Sequence, residues 1–174
     1  MHRILFVHNG PTHFVQLDLD ELRERYDVTE CYLRSRWINA ASIWQQVRTH
    51  DLVFGWFASW HTFLPLLFAR VSGKPSILVI GGYDLANMPE IGYGHQRISK
   101  RTMYLANRLI TNSHYSRKEA ARNALLPEEE VHPIYHGVDD PFRSLPKGSR
   151  SRIALTVGNV DESNLRRKGH EPFV

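Results

Sequence analysis

Apolar and polar positions along this chain alternate in two rhythms. Short continuous apolar runs recur. Each is closed by a polar turn cluster and followed by a longer stretch with apolar residues three and four apart. Arg3–His8 (RILFVH) is the first run, ended by Asn9-Gly10-Pro11. Phe14–Tyr26 follows, with Phe14, Leu17, Leu22 and Tyr26 near helical spacing. The same punctuation predicts strands over Asp27–Leu33, Leu52–Phe57, Ser76–Ile80, Arg108–Thr111 and Val131–Tyr135. It predicts helices over Ala40–Thr49, Trp60–Val71, His95–Ala106 and Ser116–Leu125, the second of these closed by Gly73 and Pro75. Unbroken apolar strands alternating with helices mean a parallel sheet covered on both faces. The expected fold is a doubly wound α/β sheet of about six mostly parallel strands.

In such sheets ligands bind beyond the carboxyl ends of the strands, so the strand-to-helix loops hold the candidate chemistry. Asn9-Gly10 could let a ligand approach backbone near a helix N-terminus, or could simply form a tight turn with Thr12 as cap. Trp60 and His61 close the motif WFASWH (Trp56–His61), whose aromatic faces suit sugar rings and equally suit a core. Gly81–Gly94 (GGYDLANMPEIGYG) holds four glycines and a proline, the composition of a long irregular loop. There Gly82 leads to Tyr83 and Asp84 at the sheet edge; Asp84 could orient a hydroxyl or act as a base, or cap a short helix. Lys168-Gly169, in RRKGH, could hold a phosphate or be a solvated basic turn. Neither G-x-G-x-x-G nor a Walker A sequence occurs. His132 and His136 are four apart, but Pro133 and the strand pattern argue against a helical metal pair, and we expect no metal site and no bound cofactor.

Composition narrows the picture. The chain has 174 residues, 42% hydrophobic and 23% charged, which suits a globular protein of about one domain. Its one cysteine, Cys31, excludes an intramolecular disulfide and fits a reducing compartment. The N-terminal apolar run is too short for a secretory signal, so a cytoplasmic location is expected. Leu52–Ala69 carries no charged residue, but Gly55, Ser59, His61 and Pro65 interrupt it, which fits a buried strand, a turn and a helix better than a membrane span. The net charge of +4 suits phosphate-bearing ligands or an anionic membrane face. Nucleic acid is disfavoured, because the basic residues lack aromatic interleaving. Arg143–Ser151 (RSLPKGSRS) reads as a linker between residues 1–142 and residues 152–174, where Ile153–Val157 is a seventh strand.

Together these segments resemble the group 1 retaining glycosyltransferases, which pair two Rossmann-like domains across a cleft. The resemblance runs through RILFVHNGPTHFVQLDLDELRERYDV, the Gly-Gly-Tyr-Asp loop, ANRLITNSHYSRKEA, IYHGVDDPF and ALTVGNVDESNLRRKG. It implies that residues 1–142 form the acceptor-binding domain and that residues 152–174 begin the donor-binding domain. It implies acceptor contacts at Asn9, Gly10, Gly82 and Tyr83, an acceptor-side catalytic role for Asp84, and diphosphate contacts at Lys168 and Gly169. Gly137 and Asp139 match the turn before the hinge, with His136 where the family has asparagine. Asn159 stands where a phosphate-binding arginine is usual, and no Glu-x7-Glu pair is present.

The resemblance therefore implies the acceptor-binding part of a retaining enzyme. That enzyme would move a sugar from a UDP- or GDP-sugar, its co-substrate, to a carbohydrate or lipid-linked acceptor, and could do so peripherally at an anionic membrane face. The fragment alone would be nearly inactive. The competing reading is a non-catalytic module that binds a nucleotide or phosphorylated sugar. The ending is expected to be a truncated second domain, with residues 152–158 free to borrow a sheet edge or exchange between chains.

Overall fold

The computed structural model describes residues 1–34, 39–82, 84, 96–137 and 165. Among the described residues, strands β1 (Arg3–His8), β2 (Asp27–Tyr32), β3 (Leu52–Trp56), β4 (Ser76–Ile80), β5 (Arg108–Thr111) and β6 (Val131–Pro133) alternate with α-helices. These are α1 (His13–Arg23), α2 (Ala40–Thr49), α3 (Trp60–Val71), α4 (Gln96–Leu105) and α5 (His114–Ala124). The six strands form one sheet in the order β2-β1-β3-β4-β5-β6, with every neighbouring pair parallel. The doubly wound α/β architecture expected from the apolar rhythm is the one observed.

The order of the strands decides where the helices go. A crossover between parallel strands is right-handed. Moving from β1 to β2 puts α1 on one face. The chain then reverses direction, and α2 to α5 fall on the other. Leu5, Val7, Val53, Leu78 and Ile80 pack under Val47 of α2, Leu66 of α3, Met103 of α4 and Ala120 of α5. On the opposite face Ile4, Phe6, Phe54, Trp56 and Val79 meet Val15 and Leu19 of α1. Each fully buried aliphatic or aromatic side chain here contributes about 1.5–3 kcal/mol of transfer free energy. Burial on both faces is why the strands read as unbroken apolar runs.

Where boundaries differ from expectation, a partner explains it. Helix α5 starts at His114 rather than Ser116, because Ser113 Oγ caps it by accepting from the Ser116 N–H at 3.0 Å. Strand β6 ends at Pro133 rather than Tyr135, because β5 offers no pairing residue beyond Thr111. Helix α1 ends at Arg23 rather than Tyr26, since Asp27 already donates its N–H to His2 O at 3.1 Å to begin β2.

The uncharged stretch Leu52–Ala69 divides into β3 and most of α3, and no helix among the described residues is long and apolar enough to cross a membrane. The chain divides into two compact units, Met1–His136 and Gly137–Val174. Of the second unit, Gly137 and Leu165 are described. The expected linker, the strand Ile153–Val157 and the edge-borrowing segment 152–158 lie outside the described residues.

One close approach shapes the carboxyl edge. A Cβ built on Gly81 would sit 2.3 Å from Phe57 Cε1. Gly81→Ala is therefore expected to push the Phe57 ring aside and lower stability by about 1–3 kcal/mol, the usual cost of overpacking. A urea denaturation midpoint equal to wild type would show that the ring yields freely.

Candidate functional site

The strand order reverses at β1 and β3, and the crevice outside the carboxyl ends of such a pair is where open α/β sheets take their ligands. Three groups of side chains meet around it.

The first group wires the loop from β3 into α3. Phe57 has a φ of 67°, in the left-handed region that costs a non-glycine residue about 1–3 kcal/mol. The surrounding bonds hold it there. Phe57 N–H donates to Val79 O at 2.8 Å, and Thr62 Oγ1–H donates to Phe57 O at 2.6 Å. His61 lies 2.8 Å from Trp56 O through Nε2. A carbonyl only accepts, so Nε2 carries the proton. His61 is fully buried, and that burial pushes its pKa down to about 4, so the ring is neutral.

Asp84 completes the loop from the other side. Its Oδ2 accepts from Ala58 N–H at 2.9 Å, and its Oδ1 accepts from Gly81 N–H at 3.1 Å and Gly82 N–H at 2.9 Å. Desolvation raises its pKa to about 6, against the pull of those backbone donors. At neutral pH it is a carboxylate that ties the end of β4 to the end of β3. Both oxygens are occupied by backbone, the geometry of a loop clamp.

The second group stands at the end of β1. His8 Nε2 is 3.0 Å from Glu30 Oε1 on β2, and Arg23 Nη2 donates to Glu30 Oε2 at 2.9 Å. The bond from His8, followed by those from Arg23, holds the Glu30 carboxyl below its ordinary range. Nε2 is thus the protonated nitrogen of His8. Tyr32 stacks on the ring at 5.2 Å and Phe6 meets it edge-on at 5.8 Å. Among the described residues His8 Nδ1 is buried with no hydrogen-bond partner.

The third group joins α1, β3 and the segment after β6. Trp56 Nε1–H donates to Asp18 Oδ2 at 2.9 Å. Burial raises the Asp18 pKa, partly offset by that bond and by the nearby His136. The His136 ring stacks on Phe14, at 4.6 Å and 17°, and on Trp56, at 5.9 Å and 12°.

The residues singled out in the sequence fall as follows. Asn9 and Gly10 lie half-buried at the end of β1, and a Cβ on Gly10 would meet nothing within 4 Å. Trp60 is half-buried in the first turn of α3, edge-on to His61 at 5.4 Å. Gly82 has a φ of 128°, which glycine adopts without strain. Gly137 is exposed. Tyr83, Asp139, Lys168 and Gly169 lie outside the described residues. No group of three or more His, Cys, Asp or Glu suited to a metal ion occurs among the described residues.

His8, Glu30, Asp18 and Phe14 were not singled out. Their signal was faint. His8 is the polar last residue of an apolar strand, and Asp18 follows Phe14 by one helical turn.

Residues 2–141 match the model of Glycosyltransferase Family 4. A comparison with curated proteins finds no match. Among solved structures, the chain is similar to a UDP-GlcNAc 2-epimerase from Neisseria meningitidis bound to UDP-GlcNAc, at 13% identity and a TM-score of 0.52. That match covers 75% of this chain and 45% of the epimerase. It is also similar to MnaA of S. aureus in a structure with UDP, at 11% identity and a TM-score of 0.53, covering 75% and 43% of the two chains. These likenesses concern the fold, and the chain spans less than half the length of either structure.

Proposed function

The chain belongs to Glycosyltransferase Family 4, and from that premise we propose that its first unit binds the sugar acceptor of a nucleotide-sugar-dependent, retaining glycosyltransferase. One observation carries this reading. Asp18, whose Oδ1 carries no hydrogen bond among the described residues, is bonded to Trp56 through Oδ2 and stands one helical turn from Phe14, beside the end of β3. Carboxylates beside aromatic faces accept hydrogen bonds from hydroxyls and stack on the C–H faces of sugar rings. They repel a diphosphate. A glycine-rich phosphate loop is also absent from the sequence.

In the proposed enzyme the donor diphosphate is held elsewhere, with Lys168 and Gly169 the residues we assign to it. Positive charge there would stabilise the diphosphate as it leaves the sugar. The first unit contributes orientation: it holds an acceptor hydroxyl at the crevice, and the rigid β3–α3 loop keeps that surface in shape.

Titration calorimetry of the 174-residue chain tests the assignment. UDP and GDP are expected to show no binding below the millimolar range. Micromolar binding of either nucleotide would instead favour the non-catalytic nucleotide-binding module.

A further inference from the structure

The stack around His136 has the form of a filled binding slot. The His136 ring lies nearly parallel to both Phe14 and Trp56, so one ring stacks on two aromatic side chains. One wall, Phe14, is half-exposed on α1. The other, Trp56, is buried and locked by its bond to Asp18. The slot sits where α1 and the end of β3 meet, beside the crevice between β1 and β3.

Its occupant is lightly held. The chain leaves the sheet after Ile134 N–H donates to Thr111 O at 2.8 Å. Among the described residues neither Tyr135 nor His136 forms a backbone hydrogen bond outside regular structure. Tyr135 meets the His114 ring at 6.0 Å, and His136 makes its two ring contacts. Ring contacts of this kind are individually weak, so a ligand ring of similar thickness can compete for the same faces.

The chemistry around the slot selects the ligand. Two aromatic faces fit the flat C–H faces of a pyranose. Asp18 Oδ1, which carries no hydrogen bond among the described residues, is an acceptor for a sugar hydroxyl at the slot's side. The same carboxylate disfavours phosphate. We propose that the place the His136 ring fills against Phe14 and Trp56 is the subsite that stacks a pyranose ring of the acceptor, and that His136 is an internal occupant which an entering sugar displaces. This rests on the acceptor reading above and adds the place where the ring lies and the residue that competes for it.

The test uses methyl α-D-glucopyranoside, methyl α-D-mannopyranoside and methyl α-D-galactopyranoside as probes on the 174-residue chain, followed by NMR of the tryptophan indole N–H signals. His136→Ala is expected to tighten the best glycoside at least fivefold, with the largest shift on the Trp56 indole. Phe14→Ala, a change on an exposed part of α1, is expected to weaken it at least fivefold and remains informative if the His136 variant folds poorly. Asp18→Asn can still accept from Trp56 but loses the charge, and should weaken the glycoside less than Phe14→Ala does. A glycoside that binds wild type and both ring variants equally, or that shifts Trp60 rather than Trp56, overturns the slot and leaves the acceptor reading standing. Failure of all three glycosides to bind wild type and His136→Ala overturns the acceptor reading and the slot with it.

Discussion

Replacing Asp84 with alanine is expected to lower the stability of the first unit by about 3 kcal/mol. The change leaves the N–H groups of Ala58, Gly81 and Gly82 without the carboxylate that they share. Each buried donor left without a partner costs about 1–3 kcal/mol, and removing a desolvated charge offsets part of the sum. Asp84→Asn should recover less than half. Its carbonyl oxygen replaces one acceptor, but its NH2 turns a donor toward a donor. For a unit of this size the alanine change corresponds to a fall in Tm of roughly 10 °C. Thermal unfolding followed by circular dichroism measures it. A fall below about 2 °C would mean that the clamp does not carry the loop, and that Asp84 acts through chemistry alone. The same clamp borders the left-handed Phe57, so loss of Asp84 is expected to loosen the surface proposed to take the acceptor as well.

The second large effect concerns acid. His61 is buried and neutral, and its pKa falls from an ordinary 6.5 to about 4 on folding. Below pH 6.5 the unfolded chain takes up a proton that the folded chain refuses. Stability from this group is complete above pH 6.5 and drains away as the pH falls toward 4. The 2.5-unit gap corresponds to about 3 kcal/mol. Asp84 works in the opposite sense. Its pKa is raised from 3.8 to about 6, so between those values the folded chain binds the extra proton and gains about 3 kcal/mol as the pH falls. The two windows overlap and largely cancel in the wild type.

Each residue's limb should therefore appear only when the other is removed. His61→Gln, whose amide can still donate to Trp56 O, is expected to become more stable relative to wild type as the pH drops from 6 to 4. Asp84→Asn is expected to lose stability more steeply than wild type over the same range. Urea midpoints at half-unit pH steps read both. Parallel pH profiles for wild type and both variants would show that neither group titrates as its burial implies.

The class of fold was legible because both faces of the sheet are buried. RILFVH, LVFGW and SILVI each hold an unbroken apolar run, as a doubly covered parallel strand requires, and α2, α3 and α5 carry their own N-caps. Element ends were less legible, because they depend on partners: β6 stops where β5 stops, and α5 starts where Ser113 can cap it. Asp84 stood out by its position after two glycines, but whether its oxygens face a ligand or the backbone was open until the ends of β3 and β4 were placed side by side. His61 stood out beside Trp60, and its burial against Trp56 O could not be read from spacing. The His8–Glu30 pair joins residues 22 apart on two strands, and the Trp56–Asp18 pair joins residues 38 apart on a strand and a helix. No local period connects such positions.

The sequence by itself determined the alternation of strand and helix, because hydrophobic periodicity and capping act over a few residues. Family membership is carried by the same residues, over positions 2–141. The tertiary structure alone decided which polar groups converge, because the strand order β2-β1-β3-β4-β5-β6 and its single reversal bring together the end of β1, the end of β3, one face of α1 and the segment after β6. Those contacts join distant parts of the chain, and they exist only once the apolar faces have been buried and the crossovers have taken their hand.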